Sequence, residues 1–400
     1  MNNLFANWNS KEELYALYLS LIIMFGYPFN MYIEFAIAAI WAYSMKGQTP
    51  TSMLNCKSHK YFLAGLLVWT FSCIYSVNSI FALKYLFMAF AAYIVCINTS
   101  NQIFRRMLKY FLVLGGIHIA FILIDFLDHM FVMSIAGRFL ESEQIEVNEH
   151  LRAFSGACSG LTGQTGQAAL FVVIFMYTVA AITAEKKVYI LLLAPAIIAM
   201  LLTQKRSFLG FGLLFSVSYI LYTMKNISNM SKIMVIVIAA ITCWALQHYI
   251  ELYFDVTAIA DKIEEGSLSN RDVLWNKMMI LFKSSPLIGI GLYSTDTILG
   301  MTGHNIYIQL FCENGIFGAL VWLALLFRSL KLVIMNNLSN DIVAFSRITI
   351  LFILAYGFLG NPIYEIQTLF LLFICTTVLE RSFVENSAQI LNIRKSDYGK

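Results

Sequence analysis

Charge is scarce in this chain. Of 400 residues only 12% are Asp, Glu, Lys or Arg, about half the share of a soluble globular protein, which excludes an ordinary water-soluble domain. Clustered charge is missing as well. The net charge of +4 is spread over short connectors, without polybasic runs or interleaved basic and aromatic residues, so a nucleic-acid partner is excluded. Proline is rare, at five residues, and no Pro-, Gly- or Ser-rich linker divides the chain. The seven cysteines are scattered, contain no C-x-x-C pair and lie mostly in apolar runs, with Cys158 outside them. They give neither a disulfide framework nor a metal cage. Ten-residue segments of alternating polarity are absent, which excludes a membrane barrel, and no internal repeat is visible. The first apolar run lacks a basic leader and a small-residue cleavage site, so no cleavable signal peptide is expected.

Apolar residues fill the place that charge vacates. They make up 59% of the chain, and the mean hydropathy is +0.72. Apolar runs long enough to approach the bilayer's thickness recur along the whole length. They predict an all-α polytopic membrane protein of about twelve transmembrane helices: 14–27, 31–44, 61–77, 80–97, 110–133, 167–183, 188–202, 208–223, 233–250, 316–334, 348–359 and 367–379. Residues 1–400 form a single membrane domain with two elaborated loops, 134–166 and 251–303, the larger and partly helical one lying between the ninth and tenth spans. Lys46, Arg105, Arg106, Lys109, Lys186, Lys187, Lys225 and Arg347 fall on one side. By the positive-inside rule that side is the cytoplasm. Both termini are then cytoplasmic, and both large loops lie outside.

The first loop begins acidic (Glu141, Glu143, Glu146, Glu149) and ends in a run containing Gly156, Gly160, Gly163 and Gly166. Glycine at that density predicts an irregular, close-packed segment whose backbone N–H groups can face an anion; the plain alternative is a flexible connector. In the second loop, Ser269 and Asp272 have capping-box spacing. Leu274, Trp275, Met278, Leu281 and Phe282 follow as an apolar stripe at helical spacing. Ser284, Ser285 and Pro286 should stop that helix, and Gly289 and Gly291 permit a tight turn behind it. An amphipathic helix lying on the outer membrane surface is the expected picture.

Arg152, Arg206 and Arg271 stand at the edges of spans or of this interfacial helix. The larger loop carries seven acidic against four basic side chains, so it forms no diffuse basic bowl. Isolated arginines at headgroup depth suit a bidentate grip on phosphate; the bland alternative is a snorkelling anchor. His304, just before the next span, has an ordinary pKa near neutrality and is the candidate general base of this loop. His118 and His129 fall within an apolar run and read as internal hydrogen-bonders. Glu313 lies nine residues beyond His304, across the helix from it unless the segment bends, and reads as structural. Lys84, Asp125 and Asp128 are intramembrane or nearly so, and the sequence assigns them no role.

Together these residues carry a resemblance. Arg271-x-x-Leu274-Trp275, Pro286-x-x-Gly289-x-Gly291, His304-Asn305-x-Tyr307 and Glu313-x-Gly315-x-x-Gly318 resemble the signature of the O-antigen polymerase and O-antigen ligase superfamily. Thr203-Gln204-x-Arg206 and Arg152-x-x-x-Gly156 resemble its two earlier outer loops. The resemblance implies a metal-independent, cofactor-free glycosyltransferase at the periplasmic face of the bacterial inner membrane. Its donor would be an undecaprenyl-diphosphate-linked glycan. Its partners would be that lipid-linked oligosaccharide, membrane lipid and a chain-length regulator protein. His304 would be catalytic. Arg152, Arg206, Arg271, Asn305 and Tyr307 would bind diphosphate and glycan. Gly156, Pro286, Gly289, Gly291 and Gly315 would shape the turns.

Within the superfamily, a polymerase passes the growing chain to another lipid-linked repeat unit, whereas a ligase passes it to lipid A-core. The short stretch between Gly291 and His304 resembles the polymerases more closely, a lean that rests on analogy. A lipid-linked oligosaccharide flippase is the reading of a different class. Missing repeats argue against it, whereas the intramembrane charges keep it open.

Overall fold

The computed structural model describes residues 11–26, 31–44, 56–183, 187–223, 271–336 and 340–398, with seven isolated positions between 228 and 241. Of the described residues, 84% are helical and none is in a strand. The helices are α1 (Lys11–Phe25), α2 (Met31–Ser44), α3 (Lys57–Ile74), α4 (Ser79–Asn98), α5 (Asn101–Leu127), α6 (His129–Ala136), α7 (Ser142–Ser155), α8 (Thr165–Thr183), α9 (Leu193–Leu202), α10 (Arg206–Thr223), α11 (Arg271–Ser284), α12 (Ser294–Leu299), α13 (Ile306–Met335), α14 (Asp341–Tyr356) and α15 (Ile366–Tyr398).

Among the described residues, five segments are long and apolar enough to cross a bilayer: Ser79–Asn98, Asn101–Leu127, Thr165–Thr183, Ile306–Met335 and Ile366–Asn386. The chain is therefore a multi-pass, all-α membrane protein. Several expected spans take a different form. The run 110–133 is broken at Asp128, whose carboxylate accepts from Phe131 N–H at 3.0 Å and caps α6. The span expected to start at residue 316 begins ten residues earlier, at Ile306. Most of the expected ninth span, residues 251–270 of the larger loop and the Ser269 end of its capping box lie outside the described residues.

Contacts divide the chain into two units, residues 1–34 with 102–269 and residues 35–101 with 270–400. In the first unit α8 is buried along nearly its whole length and packs against α9 and α10. Arg106 ties α5 to α1 through Glu12 and Glu13, each at 3.3 Å.

In the second unit α3 lies along α13, where Trp69 meets Trp322 with ring centroids 4.2 Å apart. Helix α15 packs on α14 and α4 and contributes two adjacent charges to opposite helix ends. Glu380 accepts from Lys57 N–H at 3.0 Å and Ser58 N–H at 2.8 Å at the N-terminus of α3, and from Arg328 at 2.5 Å. Arg381 donates to Thr99 O at 2.5 Å and to Cys96 O and Ile97 O at 3.4 Å, at the C-terminus of α4. Each charge meets the end of the helix dipole that attracts it and satisfies backbone groups the helix leaves open.

Candidate functional site

The larger loop's described part is built on a crossing of two backbone segments. Helix α11 puts Leu274 and Met278 against Cys312 of α13, with Trp275 and Leu281 partly buried around them. The apolar stripe read from the sequence thus faces protein at its centre, and Trp275 Nε1 donates to Gly303 O at 3.1 Å. After Ser284 the chain turns and residues 286–291 run beside α13. Ile290 N–H donates to Cys312 O at 3.0 Å and Gly291 N–H to Glu313 O at 3.0 Å. In return, Ile316 N–H donates to Pro286 O at 2.8 Å and Phe317 N–H to Leu287 O at 3.4 Å.

Those bonds require α13 to open, and it opens at Gly315, where φ is +62° and ψ is −172°. A Cβ on Gly315 would lie 2.3 Å from the Leu287 carbonyl, and one on Gly289 (φ +78°) 2.3 Å from the Glu313 carbonyl. Each glycine makes room for the other's chain. The spacing of Pro286, Gly289, Gly291, Glu313 and Gly315 is thus a packing requirement.

Glu313 is fully buried beside this crossing. Its carboxylate accepts from Tyr293 N–H at 2.9 Å, Thr295 N–H at 3.3 Å, the Thr295 hydroxyl, and Gln309 Nε2 at 3.1 Å. It closes the turn between Gly291 and α12. Gln309 also reaches Asp296 at 3.5 Å. Burial lifts the Asp296 carboxyl from its ordinary 3.8 to about 6, against the pull of that hydrogen bond.

His304 stands at the edge of this assembly. It is exposed, takes a left-handed backbone conformation (φ +50°), and its Nε2 lies 3.3 Å from Thr302 Oγ1. Asn305 caps α13, its Oδ1 accepting from Tyr307 N–H at 3.0 Å and Ile308 N–H at 3.2 Å. Its Nδ2 donates to Phe358 O at 3.4 Å. The Tyr307 hydroxyl donates to Leu354 O at 2.7 Å, and Ile306 N–H donates to Gly357 O at 2.9 Å. The turn after α14 is therefore a wall behind His304 that sequence reasoning missed. Asn305 and Tyr307, expected to touch ligand, spend these polar atoms fixing that wall. Arg271 opens α11, partly buried.

The other two arginines lie in the first unit. The acidic half of the first loop is helical: Glu141 and Gln144 form a capping box at the start of α7, and Gly156 ends it in the left-handed conformation. The glycine-rich half does face an anion, and that anion is the chain's own. Ser159 N–H and Gly160 N–H both donate to Asp125 Oδ2 at 3.0 Å. Arg152 donates to Asp125 Oδ1 at 3.4 Å, to Cys158 Sγ at 2.9 Å and to Phe126 O at 3.4 Å. Burial pushes the Cys158 thiol up to about 11, so it is a neutral partner. Cys158 N–H donates to Leu202 O at 2.9 Å, which joins this loop to the 203–205 connector ahead of Arg206. Arg206 itself is exposed. Among the described residues, no group of three His, Cys, Asp or Glu could hold a metal ion.

Residues 190–323, a third of the chain, match the family described as O-antigen ligase. The match covers Arg206, Arg271, His304, Glu313 and Gly315, and supports the O-antigen polymerase and ligase superfamily. No curated protein and no solved structure matches the chain.

Proposed function

We propose, from the premise that this chain is a member of the O-antigen polymerase and ligase superfamily, that it polymerises a surface polysaccharide at the periplasmic face of the bacterial inner membrane. It would transfer the glycan of an undecaprenyl-diphosphate-linked donor to a hydroxyl of a second lipid-linked repeat unit. The observation that carries this reading is the placement of His304. An exposed imidazole stands at the N-terminus of a long apolar helix, on a rim fixed by Asn305, Tyr307 and the Gly289–Gly315 crossing. A sugar hydroxyl at the membrane surface meets a proton acceptor there. Arg271, which opens α11 in the same unit as His304, neutralises the diphosphate as the glycosyl bond breaks; Arg206 is a further phosphate-gripping candidate, carried by the first unit. The lipid portion of the substrate remains dissolved in the bilayer throughout.

Transfer to lipid A-core is the second reading, favoured by the printed description of the matching family. Lipopolysaccharide banding in a strain deleted for the gene separates the readings. Loss of a polymerase leaves core plus one repeat. Loss of a ligase leaves bare core with lipid-linked polymer accumulating, and loss of a flippase gives bare core without that polymer. His304→Ala is expected to reproduce the deletion pattern at an unchanged protein level in the membrane. Normal chain length in that variant would remove the base role.

A further inference from the structure

The turn that joins α14 to α15, residues 357–365, walls the rim behind His304, and the reading above leaves its own side chains without a role. It lies in the same unit as His304 and Arg271, and outside residues 190–323 that match the family. Its backbone is pinned at both ends. Gly357 O accepts from Ile306 N–H at 2.9 Å and Phe358 O from Asn305 Nδ2 at 3.4 Å. Ile363 O accepts from the Tyr85 hydroxyl at 2.6 Å, and Tyr364 O from the Tyr293 hydroxyl at 2.5 Å. Between them, a Cβ on Gly360 would overlap the Tyr356 ring, so the chain lies directly against it.

Two polar side chains of this fixed turn keep an acceptor open. The Glu365 carboxylate is partly buried and accepts no hydrogen bond among the described residues. Burial alone lifts its carboxyl from the ordinary 4.5 to about 7. Asn361, one turn earlier, is 7% exposed, and its Oδ1 is buried with no hydrogen-bond partner. Native proteins pair nearly all their buried polar atoms, and a carboxylate taken from water without a partner costs stability. A turn held rigidly around two such acceptors is suited to donors from outside the chain. Arg271 narrows the kind of donor. Its charge and that of Glu365 both act on the Tyr356 hydroxyl, in opposite senses. With Arg271 beside it the turn is a poor place for a cation, and a neutral hydroxyl is the donor that suits it.

We propose that Glu365 and Asn361 form a glycan subsite, accepting hydrogen bonds from the hydroxyls of a sugar in the repeat unit and so selecting which repeat unit is used. This rests on the glycosyl-transfer reading. A carboxylate offers two oxygens to a pair of neighbouring hydroxyls, and such bonds to an ionised acceptor are stronger than those between neutral groups. The sugar's donors also favour the charged carboxylate, offsetting the burial that opposes it. No covalent bond forms or breaks at this subsite: Glu365 binds substrate and transfers no proton. A contact outside the matching stretch can differ between chains that share the chemistry inside it.

The test uses the detergent-solubilised full chain and the oligosaccharide released by mild acid from the strain's own lipid-linked repeat units. In wild type the oligosaccharide should raise the thermal midpoint. Glu365→Gln removes a carboxylate that accepts no hydrogen bond in the protein, so without sugar it should melt no lower than wild type. Its affinity for the oligosaccharide should fall about 10- to 100-fold. In membranes making polymer, its KM for the lipid-linked repeat unit should rise by a similar factor, with kcat falling far less. Asn361→Ala should show the same split, more weakly. A Glu365→Gln protein with wild-type KM and wild-type response to the oligosaccharide overturns the proposal. So does one that melts several degrees below wild type, because the carboxylate then holds the turn together. If the free oligosaccharide leaves the wild-type midpoint unmoved, the KM comparison decides. Wild-type membranes that make no polymer from the lipid-linked unit would defeat the glycosyl-transfer reading itself, and this proposal with it.

Discussion

Adding one methyl group at Gly315 should be among the most damaging changes available in this chain. Two costs combine. At φ +62° and ψ −172° a side chain enters backbone space that is almost exclusive to glycine, a strain of about 1–3 kcal/mol. The new Cβ would also lie 2.3 Å from both C and O of Leu287. Those atoms are backbone, so no rotamer change relieves the overlap and the two segments must part. Parting first breaks the bonds from Ile316 N–H to Pro286 O and from Phe317 N–H to Leu287 O, worth about 0.5–1.5 kcal/mol each. The sum is about 4 kcal/mol, a large fraction of an ordinary protein's stability of about 5–15 kcal/mol. Gly289→Ala should cost a similar amount, since its Cβ meets the Glu313 carbonyl from the other side. Gly210→Ala is the control. It lies inside α10 with nothing within 4 Å of an added Cβ, so alanine there should be neutral or stabilise by about 0.5–1 kcal/mol. Thermal unfolding of the detergent-solubilised full chain, followed by size-exclusion, reads all three. A Gly315→Ala protein that melts with wild type would show that the segments do not cross as described.

Arg206→Lys and Arg271→Lys keep the charge but lose the planar fork, so a bidentate grip on phosphate predicts strong loss of polymer from both; near-full activity with lysine would make them diffuse charges or anchors. Asp296 binds its proton more tightly in the folded chain than in the unfolded one, because burial lifts it from 3.8 to about 6. Its contribution therefore favours the folded state most below about pH 4 and weakens as pH rises to about 6, by at most about 3 kcal/mol. Unfolding midpoints taken across that window should lose this slope in Asp296→Asn, and an unchanged slope would contradict the burial argument. Single cysteines from Gln164→Cys, Lys205→Cys and Thr302→Cys, in a background with Cys158→Ser, should react with a membrane-impermeant thiol reagent in intact cells. Asn226→Cys should not, and the reverse pattern would put the candidate site in the cytoplasm.

What the sequence made legible was local. The stripe from Leu274 to Phe282 announced α11 because its period is that of a helix and Ser-Ser-Pro ends it. Its burial against Cys312 was not legible, since composition cannot separate a membrane-surface face from a protein-packed one. Hydropathy joined residues 110–133 because one Asp among many apolar residues hardly changes a window average. Yet Asp128, as a cap, ends one helix and starts the next. The start of α13 was missed for a related reason: Gln309, Glu313 and Asn314 dilute its first turns. Asn305 was nonetheless a visible N-cap type directly ahead of them.

The candidate site was harder to read because its contacts join residues far apart in the chain. Glycine content left the first loop open between an anion-facing segment and a flexible connector, and its partner Asp125 lies 34 residues from Ser159, so nothing in the spacing pairs them. Glu313 meets Tyr293 and Thr295 across 20 and 18 residues in the same way. One long-range partner did leave a short-range trace. Asp125 and His129 are four apart, the separation at which side chains on one helical face meet. Reading His129 as a residue inside an unbroken span removed that trace, because within lipid both of its nitrogens would need internal partners. Placing a break at Asp128 restores it: one nitrogen is bound to the carboxylate and the ring is partly exposed. The assignment of one capping residue thus decides whether His129 is read inside a span or at the start of a separate short helix.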